Sequence, residues 1–280
     1  MSIAVTLDEK LERMCAILRE LGAVLVAYSG GIDSTLLLKV AHDTLGDRAV
    51  GVISASESIP SEEVRDALAV AEALGIPVIT TYTTELSDPN YAANPSNRCY
   101  FCKTALFDEL EAIAAREGIA QIVYGANLDD LGDHRPGAVA ARERGVRAPL
   151  LEAGLTKSDI REAALRLGVP NWDKPAMACL SSRVPYGTAI DAGVLRQVWQ
   201  GERFLRDLGL RQLRVRHHGE TARIEVPLDA LPRLVEPETR EALVAHFKGL
   251  GYTYVALDLE GFRSGSMNAK LPVPIAVRRV

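Results

Sequence analysis

The chain has 280 residues, 48% hydrophobic and 25% charged, enough apolar material for one large domain or one domain with a smaller companion. Its formal net charge of −5 excludes a global basic field that would draw it onto nucleic acid or an anionic membrane. The segment Met1 to Lys10 has no basic stretch followed by an apolar run, and no apolar run is long enough to span a bilayer. The expectation is a cytoplasmic protein with neither a membrane nor a nucleic acid as partner.

In chain order, Thr6 and Glu9 have capping-box spacing and predict a helix to Leu21. The continuous apolar run Ala23 to Tyr28 predicts a strand buried on both faces. A glycine-rich loop and a helix over Thr35 to Leu45 follow. Strands at Ala49 to Ser54, Pro77 to Tyr82 and Gln121 to Gly125 alternate with helices at Ser61 to Leu74 and Lys103 to Gly118. A further strand is expected at Arg147 to Leu151, and Thr156 caps a helix to Leu167. Alternation of this kind predicts right-handed crossovers and a doubly wound parallel α/β sheet.

The rhythm changes near Asn171, and the domain boundary is placed between residues 172 and 173. The stretch to Gly187 reads as a functional loop. A helix over Ala192 to Leu208 follows, then strands at Leu213 to Val215 and Arg223 to Val226 around a turn at His218 to Thr221. A helix over Pro237 to Leu250 and a strand over Tyr252 to Leu259 complete a smaller C-terminal α+β domain.

The loop Ser29-Gly30-Gly31-Ile32-Asp33-Ser34 lies between a buried strand and a helix start. Its glycines let the backbone approach phosphate oxygens, and helix N-terminal N–H groups favour an anion. The hydroxyls of Ser29 and Ser34 can donate, and Asp33 is a candidate ligand for Mg²⁺. The loop lacks the Gly-Lys-Ser/Thr ending of a Walker A motif. The alternative is a βα turn that binds nothing. Tyr124 to Asp130 follows another predicted strand, at the sheet edge where ligands bind. Gly125, Asp129 and Asp130 are therefore candidates for the nucleotide and its metal, the alternative being a pair of helix caps. Ser54, the last residue of the second predicted strand, joins the nucleotide-binding candidates.

There are four cysteines. Cys15 falls in the amphipathic pattern of the first helix and reads as a core residue. Cys99 and Cys102 form a Cys-x-x-Cys motif just before a predicted helix, a pattern shared by redox pairs, zinc half-sites and cluster half-sites. No second Cys-x-x-Cys exists, so the remaining partner is Cys179, within Lys174 to Gly187.

The Ser-Gly-Gly-x-Asp-Ser loop resembles the PP-loop of the ATP pyrophosphatases, which split ATP between the α and β phosphates. With Ala178-Cys179-Leu180-Ser181-Ser182-Arg183-Val184-Pro185-Tyr186-Gly187 downstream, the whole chain is similar to the LarE family of ATP-dependent sulfur transferases. The resemblance implies an adenine nucleotide alpha hydrolase-like fold, with a PP-loop domain over 1–172. It assigns substrate binding, sulfur transfer and oligomerisation to 173–280. It implies ATP and Mg²⁺ as cofactors and release of AMP and pyrophosphate. The family adenylates a carboxylate of pyridinium-3,5-biscarboxylic acid mononucleotide, and sulfur then displaces AMP. The product leads to the nickel-pincer nucleotide cofactor of lactate racemase.

Some family members sacrifice the cysteine matching Cys179. Others carry three cysteines and resemble [4Fe-4S] proteins that take sulfur from hydrosulfide or a carrier. Cys99, Cys102 and Cys179 fit the second pattern, since three thiolates can hold a cubane with one iron open. A redox disulfide between Cys99 and Cys102 is the alternative. The family also implies a homo-oligomer, a trimer-based hexamer.

By period 2, Arg214, Arg216 and His218 share a strand face. The two arginines are candidates to clamp the substrate phosphate, the alternative being a solvated sheet face. Glu202 sits in an apolar helical row with Leu195, Val198, Trp199 and Leu205, so a raised pKa is expected. The family resemblance, which has an important glutamate at the matching place, implies that it contacts the substrate or assists proton transfer. Arg183 and Lys103 are candidate partners for phosphate or thiolate, with Lys103 alternatively a solvated helix residue. Competing functions are a tRNA thiolase, disfavoured by the acidic charge, and a nucleotide-binding sensor, which leaves the cysteines unexplained.

Overall fold

The computed structural model describes residues 5–132, 135–175 and 178–263. The chain divides into two compact units: Met1–Tyr91 with Asn97–Ala178, and Ala92–Ser96 with Cys179–Val280. The division falls at Ala178, later than the 172/173 boundary expected from composition. A short segment around Asn94 also belongs with the second unit. Long-range hydrogen bonds, which composition does not report, tie Asn94 to the loop after Cys179.

The first unit opens with α1 (Leu7–Leu21). Thr6 caps it as expected: the Glu9 N–H donates to Thr6 Oγ1 and the Glu9 carboxylate accepts from the Thr6 N–H at 2.8 Å. β1 (Val24–Tyr28), β2 (Ala49–Ala55), β3 (Val78–Tyr82) and β4 (Gln121–Tyr124) form one all-parallel sheet in the order β3-β2-β1-β4. All five residues of β1 are buried, because both faces of the sheet are covered. Val24, Val26 and Tyr28 pack on the side of α1, α2 (Ile32–Leu45), α3 (Ser61–Ala73) and α8 (Lys157–Arg166). Leu25 and Ala27 pack on the opposite side with α5 (Arg98–Glu117) and α6 (Pro136–Glu143). Between the sheet's last edge and α8 runs the short α7 (Pro149–Glu152), and α4 (Pro89–Ala92) precedes α5.

Three local expectations are corrected. The strand expected at Arg147 to Leu151 is a single bridge of Arg147 to Val123, because Pro149 has no N–H to extend a ladder and instead starts α7. α2 begins at Ile32 rather than Thr35, so Asp33 and Ser34 lie in its first turn. α5 begins at Arg98 rather than Lys103, which takes Cys99 and Cys102 into the helix and onto one face by their three-residue spacing.

The second unit contains α9 (Ala192–Asp207), the hairpin β5 (Arg214–His218) and β6 (Thr221–Glu225), α10 (Leu231–Val235), α11 (Pro237–Gly249) and β7 (Tyr254–Leu257). Its sheet runs β5-β6-β7, with β6 antiparallel to β5 and parallel to β7. Leu205, Val215, Ile224, Leu243 and Phe247 lie in its core.

Candidate functional site

β1 lies inside the sheet, with β2 on one side and β4 on the other. The chain therefore leaves β1 in one direction and returns to its other side at β4. Such a reversal opens a crevice beyond the carboxyl ends of these two strands. The loop Ser29 to Ser34 follows β1 there, and Gly125 follows β4. The two meet closely: a Cβ on Gly125 would stand 2.9 Å from the Ser34 nitrogen. Gly125 is thus needed for close approach of two main chains.

The loop is held by its own hydroxyls. Ser34 Oγ donates to the Gly31 carbonyl at 3.0 Å and accepts from the Ser29 N–H at 3.1 Å. Ser29 Oγ lies 3.1 Å from Ser34 Oγ. Gly30 has φ +71°, and a Cβ there would meet the Ala67 Cβ at 2.3 Å, so α3 and the turn both require glycine. The first turn of α2 then presents its N-terminal N–H groups, which have no partners within the helix. Ser54 is the penultimate residue of β2, with its hydroxyl 3.0 Å from Thr83 Oγ1, buried at the same edge of the sheet.

Asp33 is ion-paired. Lys157 Nζ donates to its two oxygens at 2.6 and 2.5 Å. Burial raises the Asp33 pKa above its usual value, and the Lys157 hydrogen bond and charge counter this only in part. Lys157 escaped the sequence reading, since a lysine after a capping threonine looks like an ordinary helix start. Its placement depends on α8: Thr156 caps that helix with Asp159, and Lys10 pairs with Asp159 at 2.6 Å. Asp129 accepts from the Lys157 N–H at 2.5 Å. Asp130 accepts from the Asn127 N–H at 3.0 Å and pairs with Arg135 at 2.7 Å. Both carboxylates therefore cap turns at the crevice.

Cys99 is exposed and Cys102 half-buried, on the first turns of α5. Lys103 follows them, with its ammonium 6.0 Å from the centre of the Phe107 ring. None of the four cysteines is in a disulfide. Cys15 packs against the first unit's core, as expected, with Thr44 Oγ1 donating to its sulfur at 3.5 Å.

In the second unit, Cys179 precedes a 3₁₀ turn, Leu180–Arg183. Ala176 and Met177 of the surrounding motif lie outside the described residues. Arg183 is 1% exposed and organises the turn. Its Nη1 donates to the Cys179 carbonyl at 2.8 Å and to Ser182 Oγ at 2.9 Å. Its Nε and Nη2 grip the Glu202 carboxylate at 2.8 and 3.0 Å. Glu202 also accepts from the Val215 N–H and from Arg206.

The raised pKa expected for Glu202 is overturned. Burial alone would raise it, but the charge and hydrogen bonds of Arg183, with Arg214 and Arg206, lower it. Glu202 is an ion-pair hub, which sequence reading misses because its main partner, Arg183, lies nineteen positions upstream on another element, although Arg206 is only one turn on in α9.

Arg216 is also engaged, donating to Glu225 at 2.7 Å and to the Ser182 carbonyl at 2.9 Å. Arg214 differs. Its guanidinium donates to its neighbour's carbonyl and stacks 5.0 Å from the Phe262 ring, and no carboxylate among the described residues bridges to it. Burial, reinforced by Arg183, Arg216 and Arg206, lowers its pKa to about 10, so it remains cationic at neutral pH. His217 is buried against the Tyr252 hydroxyl at 3.1 Å while His218 is exposed, as strand alternation requires. Asn94, unremarked in the sequence, has φ +52° and donates to the carbonyls of Val184, Pro185 and Thr188, shaping the loop after the cysteine turn.

Among the described residues, no group of three or more His, Cys, Asp or Glu side chains is arranged to hold a metal ion. This bears differently on the two expected inorganic groups. Mg²⁺ is commonly bound by one or two carboxylates together with substrate phosphates, and Asp33 at a phosphate loop suits that mode. A [4Fe-4S] cluster needs a set of thiolates. Cys99 and Cys102 belong to one unit and Cys179 to the other.

The parallel sheet, its glycine crevice and the Asp33–Lys157 pair define a class, α/β enzymes that use ATP through a PP-loop. Residues 9–97 match the family model described as NAD synthase. The chain is 46% identical to an uncharacterised protein of Synechocystis sp., covering 95% of this chain and 99% of that one. It is 41% identical to pyridinium-3,5-bisthiocarboxylic acid mononucleotide synthase of Lactiplantibacillus plantarum, over 95% of this chain and 96% of the relative. An uncharacterised protein of Methanocaldococcus jannaschii is 28% identical over 86% of this chain and 91% of its own length. The chain belongs to the family of the Lactiplantibacillus synthase, the LarE family. No helix among the described residues is long and apolar enough to cross a membrane.

Proposed function

We propose that the protein activates a carboxylate of pyridinium-3,5-biscarboxylic acid mononucleotide with ATP and replaces the resulting AMP with sulfur. The observation that carries this reading is Cys179 set on a turn fixed by Arg183 and Glu202, in a chain that also has a complete phosphate loop. A carboxylate oxygen attacks the α-phosphorus, and pyrophosphate leaves. A sulfur nucleophile then attacks the acyl carbon, and AMP leaves with the oxygen that attacked phosphorus, giving a thiocarboxylate. The helix N-terminal N–H groups after Gly31 favour the polyphosphate's negative charge, and Asp33 is the residue to hold Mg²⁺ against it. On metal binding, Lys157 is free to leave Asp33 and face a phosphate oxygen. Arg214, the half-buried cation without a carboxylate bridge among the described residues, is the residue to receive the substrate's phosphate.

For the sulfur source, Cys99, Cys102 and Cys179 are the residues that would hold a cluster. When bound, it would present an external hydrosulfide or carrier-delivered sulfur. A second reading has Cys179 supply its own sulfur, and its support is that Cys179 alone lies on the turn held by Arg183. There the Cys179 thiolate forms a thioester as AMP leaves, and β-elimination yields thiocarboxylate and dehydroalanine. We place the reaction in the cytoplasm and in a homo-oligomer, the trimer-based hexamer implied by the family.

The test is an anaerobic reaction with ATP, Mg²⁺ and the biscarboxylic mononucleotide, analysed by mass spectrometry of both substrate and protein. The expected result is a thiocarboxylate product with AMP and pyrophosphate. Intact Cys179 after repeated turnover with added sulfide supports the cluster route. Dehydroalanine at 179 supports the sacrificial one. Product from Cys179→Ala at the wild-type rate would overturn both.

A further inference from the structure

Beyond the loop's own residues, one buried side chain acts on its main chain from far along the sequence. Asn171 follows α8 and is 8% exposed. Its Nδ2 donates to the Gly30 carbonyl at 3.0 Å and to Thr35 Oγ1 at 3.2 Å. The same segment is tied down again by Lys174, whose ammonium pairs with Glu63 of α3 at 3.1 Å.

The consequence follows from peptide geometry. A trans peptide is planar, and its C=O and N–H point in opposite directions. The Gly30 carbonyl is directed inward, at Asn171. The Gly31 N–H, in the same peptide, is therefore directed away from Asn171, and it has no acceptor among the described residues. The Gly31 carbonyl, by contrast, accepts from the Thr35 N–H at 2.9 Å, Thr35 Oγ1 at 2.9 Å and Ser34 Oγ at 3.0 Å. The Gly31 carbonyl is thus saturated, while the N–H of the peptide before it is an open donor. Gly30 at φ +71° has wide backbone freedom, so without the amide this peptide plane would be free to rotate.

We infer that Asn171 is a positioning residue for the polyphosphate: by holding the Gly30 carbonyl it aims the Gly31 N–H at a phosphate oxygen. The inference rests on the reading that this loop takes ATP. Asn171 Oδ1 is buried without a partner, so nothing nearby would stabilise a carboxylate in its place. Asn171→Asp should therefore be worse than the isosteric Asn171→Leu, because it also sets a negative charge against the Gly30 carbonyl oxygen.

The experiment measures binding of ATP and of adenosine, both with Mg²⁺, by calorimetry on wild type, Asn171→Leu and Asn171→Asp. Asn171→Leu is expected to weaken ATP about ten-fold, with Asn171→Asp weaker still, and adenosine binding unchanged in both. ATP affinity within about two-fold of wild type in Asn171→Leu, or equal losses for ATP and adenosine, would overturn the inference. Wild type alone supplies a second readout if the variants do not fold. Its Gly31 amide proton should shift downfield in NMR on adding ATP but not adenosine, and an unmoved resonance in ATP-saturated protein overturns the inference. A wild type that binds no ATP overturns the ATP reading and this inference together.

Discussion

The two units build their polar sites in opposite ways. At the phosphate loop, neighbours in sequence do most of the work: Ser29, Gly31, Ser34 and Thr35 bond to one another within a few residues. Around Cys179, the partners are distant, and the framework is buried ion pairs: Arg183 with Glu202, and Arg216 with Glu225. A site made of main chain and short hydroxyls tolerates exposure, because its groups are neutral and locally satisfied. A site made of buried charges must be complete, because an unpaired charge in a dry interior costs several kcal/mol. Next to those pairs, Arg214 has no carboxylate bridge among the described residues, and we propose it as the place for an anion.

The largest expected effect breaks the charge framework. Glu202→Ala should lower stability by about 3–5 kcal/mol, since it strands a buried Arg183. Urea unfolding measures this, and a loss under about 1 kcal/mol would mean that the ion pairs do not frame the unit. Next, Gly30→Ala attacks the other kind of site. Strained φ and the 2.3 Å clash with Ala67 should together cost roughly 2–4 kcal/mol. In the double variant with Ala67→Gly, the steric part should return and the backbone part remain, a separation that thermal denaturation can read.

Lys157→Met sharpens the contrast, because its pair with Asp33 is about a quarter to a third exposed. Stability should change by less than about 1 kcal/mol, while ATP-dependent AMP release falls on the order of 100-fold. Equal AMP release in the variant would remove Lys157 from the chemistry.

The smallest effect concerns pH. Burial lowers the His217 pKa, with Asp191 opposing. The unfolded chain therefore takes up this proton first as pH falls. The associated stability is present above about pH 6.5 and is lost as pH drops toward the lowered folded-state value. His217→Phe should flatten that slope between pH 7 and 5 by under about 1 kcal/mol. An unchanged slope would assign it to other groups.

Much of this is legible in the sequence. The apolar run at β1, the Thr6 and Thr156 caps and the glycine loop are local signals, and local bonds realise them. Where the sequence misled, a second force had won. Asp33 and Ser34 favour turns but sit in the first turn of α2, where that preference still serves a helix start. Cys99 lies within α5 although nothing in Arg98 to Cys102 marks a helix start, and Asn97 makes no side-chain cap. Glu202 looked like a carboxylate stranded among apolar residues; Arg183, nineteen positions upstream, and the Val215 N–H make it a hub.

By itself, then, the sequence determined the alternating parallel architecture, the phosphate loop and which cysteines are candidates for sulfur chemistry. Those features depend on hydrophobic periodicity and on the intrinsic conformations of glycine, proline and capping residues, which act over a few positions. Only the tertiary structure decided that Lys157 faces Asp33, that Asn171 holds the Gly30 carbonyl, and that Arg183 and Glu202 are spent on each other while Arg214 is not. Charge pairing in a buried site depends on distance through space, and distance through space is what a linear pattern leaves out.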